Sequence, residues 1–221
     1  MVDVMEADAI CEFEQQLERH LSGALPGPMV QRQLAPELAF GRHRGPAPRG
    51  TRQASVLMLI HPGRDGWVIP AIVRPTHMKY HPGQIALPGG MVEPGETGEQ
   101  AALREFEEEL GVSAAEVRVL GQLTPLYVYV SQTQVSPFVA FTAAQPAWKP
   151  NPAEVAGVVN IGLQEFLSPA ARGSHVLRRR GWSLRAPHFE IAGQHIWGAT
   201  AMVLAEFAAV CSAARLHLPA P

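Results

Sequence analysis

Three glutamates, Glu105, Glu108 and Glu109, stand at i, i+3 and i+4 in the run Ala-Ala-Leu-Arg-Glu-Phe-Glu-Glu-Glu-Leu. On a helix those spacings meet on one face, and like charges placed so repel one another. A helix gains nothing from that crowding, so a cation is expected to compensate it. Ligand sets made only of oxygen suit hard ions, and Mg²⁺ in particular binds through one or two carboxylates together with substrate phosphates. The cluster therefore points to metal-dependent chemistry on a phosphorylated compound. Arg104 neighbours the acidic face and can hold one carboxylate in its planar fork. Ahead of it, Pro88-Gly89-Gly90 lets the backbone come close to an ion, with Gly90 as a candidate carbonyl ligand.

The element carrying these acids is readable locally. Thr97 and Gln100 have the spacing of a capping box, and Gly111 stands where a helix ends in a left-handed residue. These signals predict a helix over 98–110. Leu103, Phe106 and Leu110 form its core stripe, and Ala101 and Ala102 are expected to leave open space beside the acids. Upstream, Ile10, Phe13, Leu17 and Leu21 predict an amphipathic helix over 8–22, followed by an irregular Pro-, Gly- and Arg-rich connection over 25–52. Strands over 54–61 and 67–73 pair around the turn 62–66. More are expected near 84–87, 116–123, 125–130, 135–142 and 155–161, with helices at 163–167 and 198–214. Strands mixed with helices give an α/β chain. Its 221 residues, 47% of them hydrophobic, suit one domain with extensions.

The segment Gly90, Glu96, Arg104, Glu105, Phe106, Glu108, Glu109, Gly111 and Val112 resembles, without departure, the signature of the Nudix hydrolases. That resemblance implies an α/β/α sandwich with a mixed β-sheet over residues 52–215, preceded by the N-terminal helix and connection over 1–51. It implies Mg²⁺ or Mn²⁺ held by Glu105, Glu108, Glu109 and Gly90, with Arg104 orienting a glutamate and Glu96 fixing the loop. It further implies hydrolysis of a nucleoside diphosphate linked to another group, by attack of water on phosphorus. The proton acceptor stays open among Glu105, Glu108 and Glu154. Glu154, in Asn-Pro-Ala-Glu-Val just ahead of an apolar strand, reads equally as an additional acid of the site or as a surface loop residue.

The stretch from Val73 to Gly90 resembles the coenzyme A pyrophosphatase branch, through Arg74, Lys79, Gly83, Gln84 and the Pro-Gly-Gly end. Pro75 and Leu87 depart from that branch, where serine and phenylalanine are usual. Arg74, Lys79, Gln84 and Gly89 are the substrate-binding candidates, the two cations suiting a polyanion with an additional 3'-phosphate. Similar pieces downstream, around Leu123–Ser131, Val135–Phe141 and Phe189–Ala201, extend the likeness to about residues 52–210, although Tyr127, Tyr129 and Phe138 read first as core packing. The resemblance thus implies a coenzyme A diphosphatase. Its alternatives are a Nudix enzyme for ADP-ribose, nucleotide sugars or oxidised nucleotides, and a binding protein on the same fold.

Composition excludes other classes. A net charge of −2 and a pI near 6.5 argue against general nucleic-acid binding. The basic run Arg178-Arg179-Arg180 reads as a solvated turn. Cys11 and Cys211 lack metal spacing and a disulfide framework. Ile196–Cys211 is the most apolar helical stretch, yet it is shorter than the ~20 residues of a membrane span and contains Glu206. The acidic start lacks the order of a secretory leader. The expectation is a cytoplasmic protein with no membrane or nucleic-acid partner, a small nucleotide-derived substrate, and a homodimer through the N-terminal helix. No Gly-x-Ser-x-Gly elbow and no Walker-type Gly-Lys-Ser occur. His77, His81, His188 and His195 show no metal spacing and read as loop or packing histidines, His81 lying near the glycine loop.

Overall fold

The computed structural model describes residues 4–37, 47–78, 81–179 and 182–214. Lys79 and Arg180 lie outside them. The central sheet is built on β1 (Arg52–Gly63), which pairs antiparallel with β2 (Gly66–Val73) across the short Arg64-Asp65 turn. Beyond β2 lie β3 (Ile85–Ala86) and β8 (Gly157–Gly162), both antiparallel to it. On its other side β1 runs parallel to β7 (Thr133–Phe141), which in turn carries β5 (Arg118–Gln122) and β6 (Leu126–Val128) antiparallel. The short β4 (Gly89–Met91) pairs with the first residues of β1. One parallel contact among antiparallel ones makes the sheet mixed.

Side chains alternate across a strand, and β1 shows both faces in use. Leu57 and Leu59 join Phe106, Leu110 and Phe138 under α3 (Gly98–Leu110), whereas Met58 and Ile60 join Phe141, Phe207 and Val210 under α5 (Ala199–Ala213). Helices on both faces of the sheet give an α/β/α sandwich. α3 begins at a complete capping box, Thr97 accepting from the Gln100 N–H while Gln100 accepts from the Thr97 N–H, and ends at Gly111 with φ 68°. Ala101 and Ala102 are fully buried rather than beside open space, and Ala102 packs with Phe106 in the cluster under α3.

The N-terminal helix, α1 (Val4–Leu21), packs on its own domain. Phe13 stacks on Trp67 at 6.3 Å between ring centres, and Leu17 and Leu21 are buried, each such side chain stabilising by about 1.5–3 kcal/mol. Arg118 of β5 ties Glu18 at 2.6 Å and Glu14 at 3.6 Å. Of the two dockings open to this apolar stripe, on the domain or on a second subunit, the structure has the first. The Pro-rich connection is also less irregular than expected: α2 (Pro28–Gln31) and a 3-10 turn, Arg32–Leu34, dock against α5. There the fully buried Glu206 accepts hydrogen bonds from the Gly27 N–H, Gln31 Nε2, and both the N–H and Oγ1 of Thr124.

After β8, α4 (Leu163–Leu167) leads to a second, three-stranded antiparallel sheet that the sequence reading missed: β9 (Arg172–Arg179), β10 (Trp182–Ile191) and β11 (Gln194–Trp197). Phe189, Ile191 and Ile196 join this sheet to the core beside α5. Arg178 is an exposed residue of β9 and not part of a turn. No helix among the described residues is long and apolar enough to cross a membrane.

Candidate active site

α3 carries its acids to the edge of β4. Glu105 and Glu109 meet Glu154, which arrives from the segment after β7, so that one carboxylate oxygen of each lies within 4.8 Å of the others. Glu109 is 4% exposed and accepts, among the described residues, one hydrogen bond, from the Gly89 N–H at 2.9 Å. Burial, with Glu105 and Glu154 as like charges nearby, pushes its carboxyl up to about 8, against the pull of the Gly89 N–H and the Arg74 guanidinium. Glu105 is also raised, chiefly by burial and in part by Glu108 and Glu154, while Arg104 opposes the shift. Half-buried Glu154 accepts no hydrogen bond among the described residues; its backbone N–H is fixed to the Asn151 carbonyl. Such a trio is a cluster of all-oxygen donors whose acids outnumber the guanidinium groups of Arg104 and Arg74 that reach them.

Arg104 holds the arrangement in place with all five of its N–H groups. Nε and Nη2 grip the two oxygens of Glu96 at 3.2 and 2.8 Å. Nη1 reaches Glu105 at 3.0 Å and Glu108 at 3.2 Å, and Nη2 also donates to the Met91 carbonyl at 3.0 Å. The Glu96 carboxyl is in turn lowered from its usual value, by Arg104 first and by the Glu93 N–H second. Its partners raise the arginine further above its already high value, so it remains a cation.

Of the expected ligands, Glu105 and Glu109 converge and Glu108 does not: its side chain is 53% exposed and turned to Arg104. Glu154, left undecided by sequence, joins the cluster instead. Gly90 stands directly before Glu105; a Cβ there would lie 2.3 Å from the carboxyl carbon, so only glycine leaves that carboxylate its position. Gly89, at φ 150°, is equally closed to a side chain, which would come within 2.2 Å of the Ser55 carbonyl oxygen. The role of Met91 was not anticipated, because a backbone carbonyl leaves no signal in residue types.

The upstream candidates surround the same acids. Arg74 follows β2 and exchanges backbone hydrogen bonds with the Gly83 and Gln84 segment. Among the described residues its buried Nε has no hydrogen-bond partner, and its charge reaches Glu109. The Gln84 side chain is engaged by His81 Nδ1 at 2.9 Å. Pro75 and Leu87, the two departures, are both buried. Of the three aromatic residues expected in the core, Phe138 is buried, Tyr127 is half-buried and Tyr129 is 44% exposed.

Residues 51–179 match the NUDIX domain family. Over 156 residues, 66% of this chain and 78% of the relative, the sequence is 36% identical to an uncharacterized Nudix hydrolase, NudL, of Yersinia pestis (strain Pestoides F). The same values hold for the NudL protein of Yersinia pseudotuberculosis serotype O:1b (strain IP 31758). Among solved structures, a MutT/nudix family protein from Enterococcus faecalis superposes with a TM-score of 0.48 at 16% identity, covering 91% of this chain and 74% of its own.

Proposed function

Because the chain belongs to the Nudix family, a pyrophosphohydrolase for nucleoside diphosphate derivatives, we propose that it cleaves the diphosphate of coenzyme A or its acyl derivatives, giving 3',5'-ADP and (acyl-)phosphopantetheine. The observation that carries the proposal is the pairing of an open acidic trio with a buried, unpartnered Arg74 Nε whose charge reaches Glu109. A diphosphate satisfies both at once, since its oxygens accept from guanidinium and share cations with carboxylates.

The residues present fit a hard divalent cation, Mg²⁺ or Mn²⁺. Three carboxylates within 4.8 Å, one of them buried and pushed up to about 8, are unfavourable as a set of charges unless something cationic joins them. Glu105, Glu109 and Glu154 would hold it. When bound, such an ion neutralises phosphate charge and lowers the pKa of a coordinated water. Arg74 Nε donates to a phosphate oxygen, Gln84 and the Gly89 backbone border the substrate, and Arg104 fixes Glu105. Glu154 is the carboxylate of the three that accepts no hydrogen bond among the described residues, and we assign it the proton of the attacking water. Water adds to one phosphorus, the bridging P–O bond breaks, and two phosphomonoesters leave. Cys11 and Cys211 are both free thiols, which suits a reducing, cytoplasmic location.

The departures Pro75 and Leu87 motivate a second substrate reading: ADP-ribose, nucleotide sugars or related derivatives. Both side chains are buried in the fold, so they alter packing rather than a surface that meets substrate, which supports retaining coenzyme A as the first choice. A product-resolved screen with Mg²⁺ and with Mn²⁺ decides between them. Coenzyme A, acetyl-coenzyme A, ADP-ribose, a nucleotide sugar and diadenosine polyphosphates are offered side by side. Rapid release of 3',5'-ADP with the others nearly idle is the expected result; a preference for ADP-ribose or a nucleotide sugar would reject coenzyme A and leave the reaction class standing.

A further inference from the structure

The second sheet gathers three histidines that are far apart in sequence. In β10, Ala186, His188 and Glu190 point to one face. His175 of β9 stands opposite Ala186, and His195 of β11 stands opposite Glu190. The pleat therefore sets His175, His188 and His195 side by side. Their rings lie 4.8 Å (His175–His188), 4.0 Å (His188–His195) and 4.8 Å (His175–His195) apart between centres, and Trp197 meets His175 edge-on at 6.1 Å. One nitrogen of each ring lies within 4.8 Å of the others.

We propose that His175, His188 and His195 form a second metal site, for a borderline divalent transition ion of the Zn²⁺, Co²⁺ and Ni²⁺ kind. Imidazole nitrogen prefers such ions, whereas the carboxylates of Glu105, Glu109 and Glu154 suit hard ones, so the two sites divide the metals by ligand chemistry. Three neutral histidines also leave a fourth position open to water or a further ligand.

Three features show a built site rather than chance proximity. First, the Nδ1 atoms of His175 and His188 face each other at 2.8 Å. At that distance one ring donates its N–H to the other, and the two nitrogens that share this hydrogen can share a metal ion in its place. Ligand nitrogens on one tetrahedral zinc lie about 3.3 Å apart, given Zn–N bonds of about 2.0–2.1 Å, so the rings need only a small rotation to converge. Second, glycine stands opposite His188 in β9. A Cβ on Gly173 would come within 2.7 Å of His188 Nε2, so the strand leaves room for this ring where any other residue would displace it. Third, exposure is graded. His188 is 3% exposed at the base, His175 is half-buried and His195 is exposed, which gives an ion an entry path to a fixed innermost ligand. Glu190, beside His195 on the same face, adds negative charge near the entry.

The test uses the full chain with saturating Mg²⁺ to fill the acidic site. Co²⁺ is titrated in and followed by its visible absorption, then displaced with Zn²⁺. One Co²⁺ per chain is expected, with His195→Gln and His175→Gln each weakening binding at least tenfold and Glu109→Gln leaving it unchanged. Circular dichroism confirms that each variant is folded. Absence of saturable Co²⁺ binding, indifference to both histidine variants, or loss in Glu109→Gln would overturn the proposal. The unaltered chain supplies an independent readout. Of its nine histidines, three should shift their ring ¹⁵N resonances on addition of Zn²⁺ and not of Mg²⁺, and a spectrum in which none moves would also reject the site.

Discussion

Two buried glutamates in this molecule live under opposite conditions. Glu206, in the middle of α5, is 0% exposed and receives four hydrogen bonds at 2.6–3.2 Å, from Gly27, Gln31 and twice from Thr124. Glu109, on α3, is 4% exposed and receives, among the described residues, one, from Gly89, while Glu105 and Glu154 crowd it with like charge. Burial disfavours a carboxylate unless donors replace the lost water. Around Glu206 the chain supplies those donors and thereby pins α2 and the Thr124 segment to α5. Around Glu109 it withholds them, and the lone pairs stay open to an external cation. Donor supply, rather than burial, separates the acid that holds the fold from the acid whose lone pairs stay open.

Exchanging the chemistry of these two positions gives the largest expected effects, and they are opposite in kind. Glu109→Gln keeps the Gly89 hydrogen bond and removes the buried charge. Its hydrolytic rate should fall about 10²–10³-fold, a loss of about 3–4 kcal/mol of transition-state stabilisation, while its melting temperature without divalent cation equals or exceeds that of the parent. Glu206→Ala strands buried donors on three residues and should cost about 3–5 kcal/mol of stability, with kcat unchanged below the melting transition. Rate assays paired with thermal melts check both. A Glu109→Gln chain that melts early and still turns over would erase the distinction.

Sequence alone carried one side of this comparison better than the other. α3 was legible to the residue because its caps, its stripe and its acids all lie within 97–111. Neither Glu206 nor Glu154 could be placed that way, since their partners lie far along the chain: Gly27 is 179 residues from Glu206, and Glu154 meets α3 only through the loop after β7. The second sheet was invisible for a different reason. β9 reads Arg-Gly-Ser-His-Val-Leu-Arg-Arg, which lacks the apolar alternation of a half-buried strand, and its exposed Val176 lies opposite Arg185. The histidine trio likewise arises from cross-strand register, which no spacing rule along one chain detects. Glu108 misled because i+3 and i+4 share a helix face, yet Arg104 draws the i+3 acid outward.

Gly90 sharpens the contrast from the side of backbone space. Gly90→Ala would place a methyl carbon 2.3 Å from the Glu105 carboxyl carbon, forcing that carboxylate away from Glu109 and Glu154. A displacement of about 1 Å at reacting groups costs about 10²-fold in rate, so a loss of that order in kcat/KM is expected. Glu206 lies in another helix, so the unfolding transition should retain its cooperativity. If kcat/KM stayed within twofold of the parent, Glu105 would not belong to the working set.

A smaller but more diagnostic effect follows from protonation. The Glu109 carboxyl is pushed up to about 8 in the folded chain, whereas in the unfolded chain it ionises at the usual acidic pH. Between those values the unfolded state is the one that loses its proton, so the cation-free protein should lose stability as pH rises toward about 8 and level off above it. Cation binding must expel that proton. Affinity for Mg²⁺ should therefore climb with pH, by at most about tenfold per unit per proton, and flatten past about 8. Calorimetric titrations in buffers of differing ionisation heat should find roughly one proton released per ion at pH 6.5 and little at pH 8.5. Pre-ionised carboxylates would show no release at either pH, and the raised Glu109 carboxyl would then be wrong.

The smallest effect tests whether the acidic face depends on the helix end or on its own clamps. Thr97 caps α3 by accepting from the Gln100 N–H, and it follows Glu96, which Arg104 grips with two hydrogen bonds. Thr97→Ala removes one cap and should cost about 1 kcal/mol of stability. The positions of Glu105 and Glu109 are set elsewhere, by Arg104, by the space at Gly90 and by the Gly89 N–H. Stability should therefore drop while kcat and Mg²⁺ affinity hold within twofold. A parallel fall in Mg²⁺ affinity would mean that the first turn of α3 transmits its order to the carboxylates, and that on this helix holding the fold and holding the ion are one task.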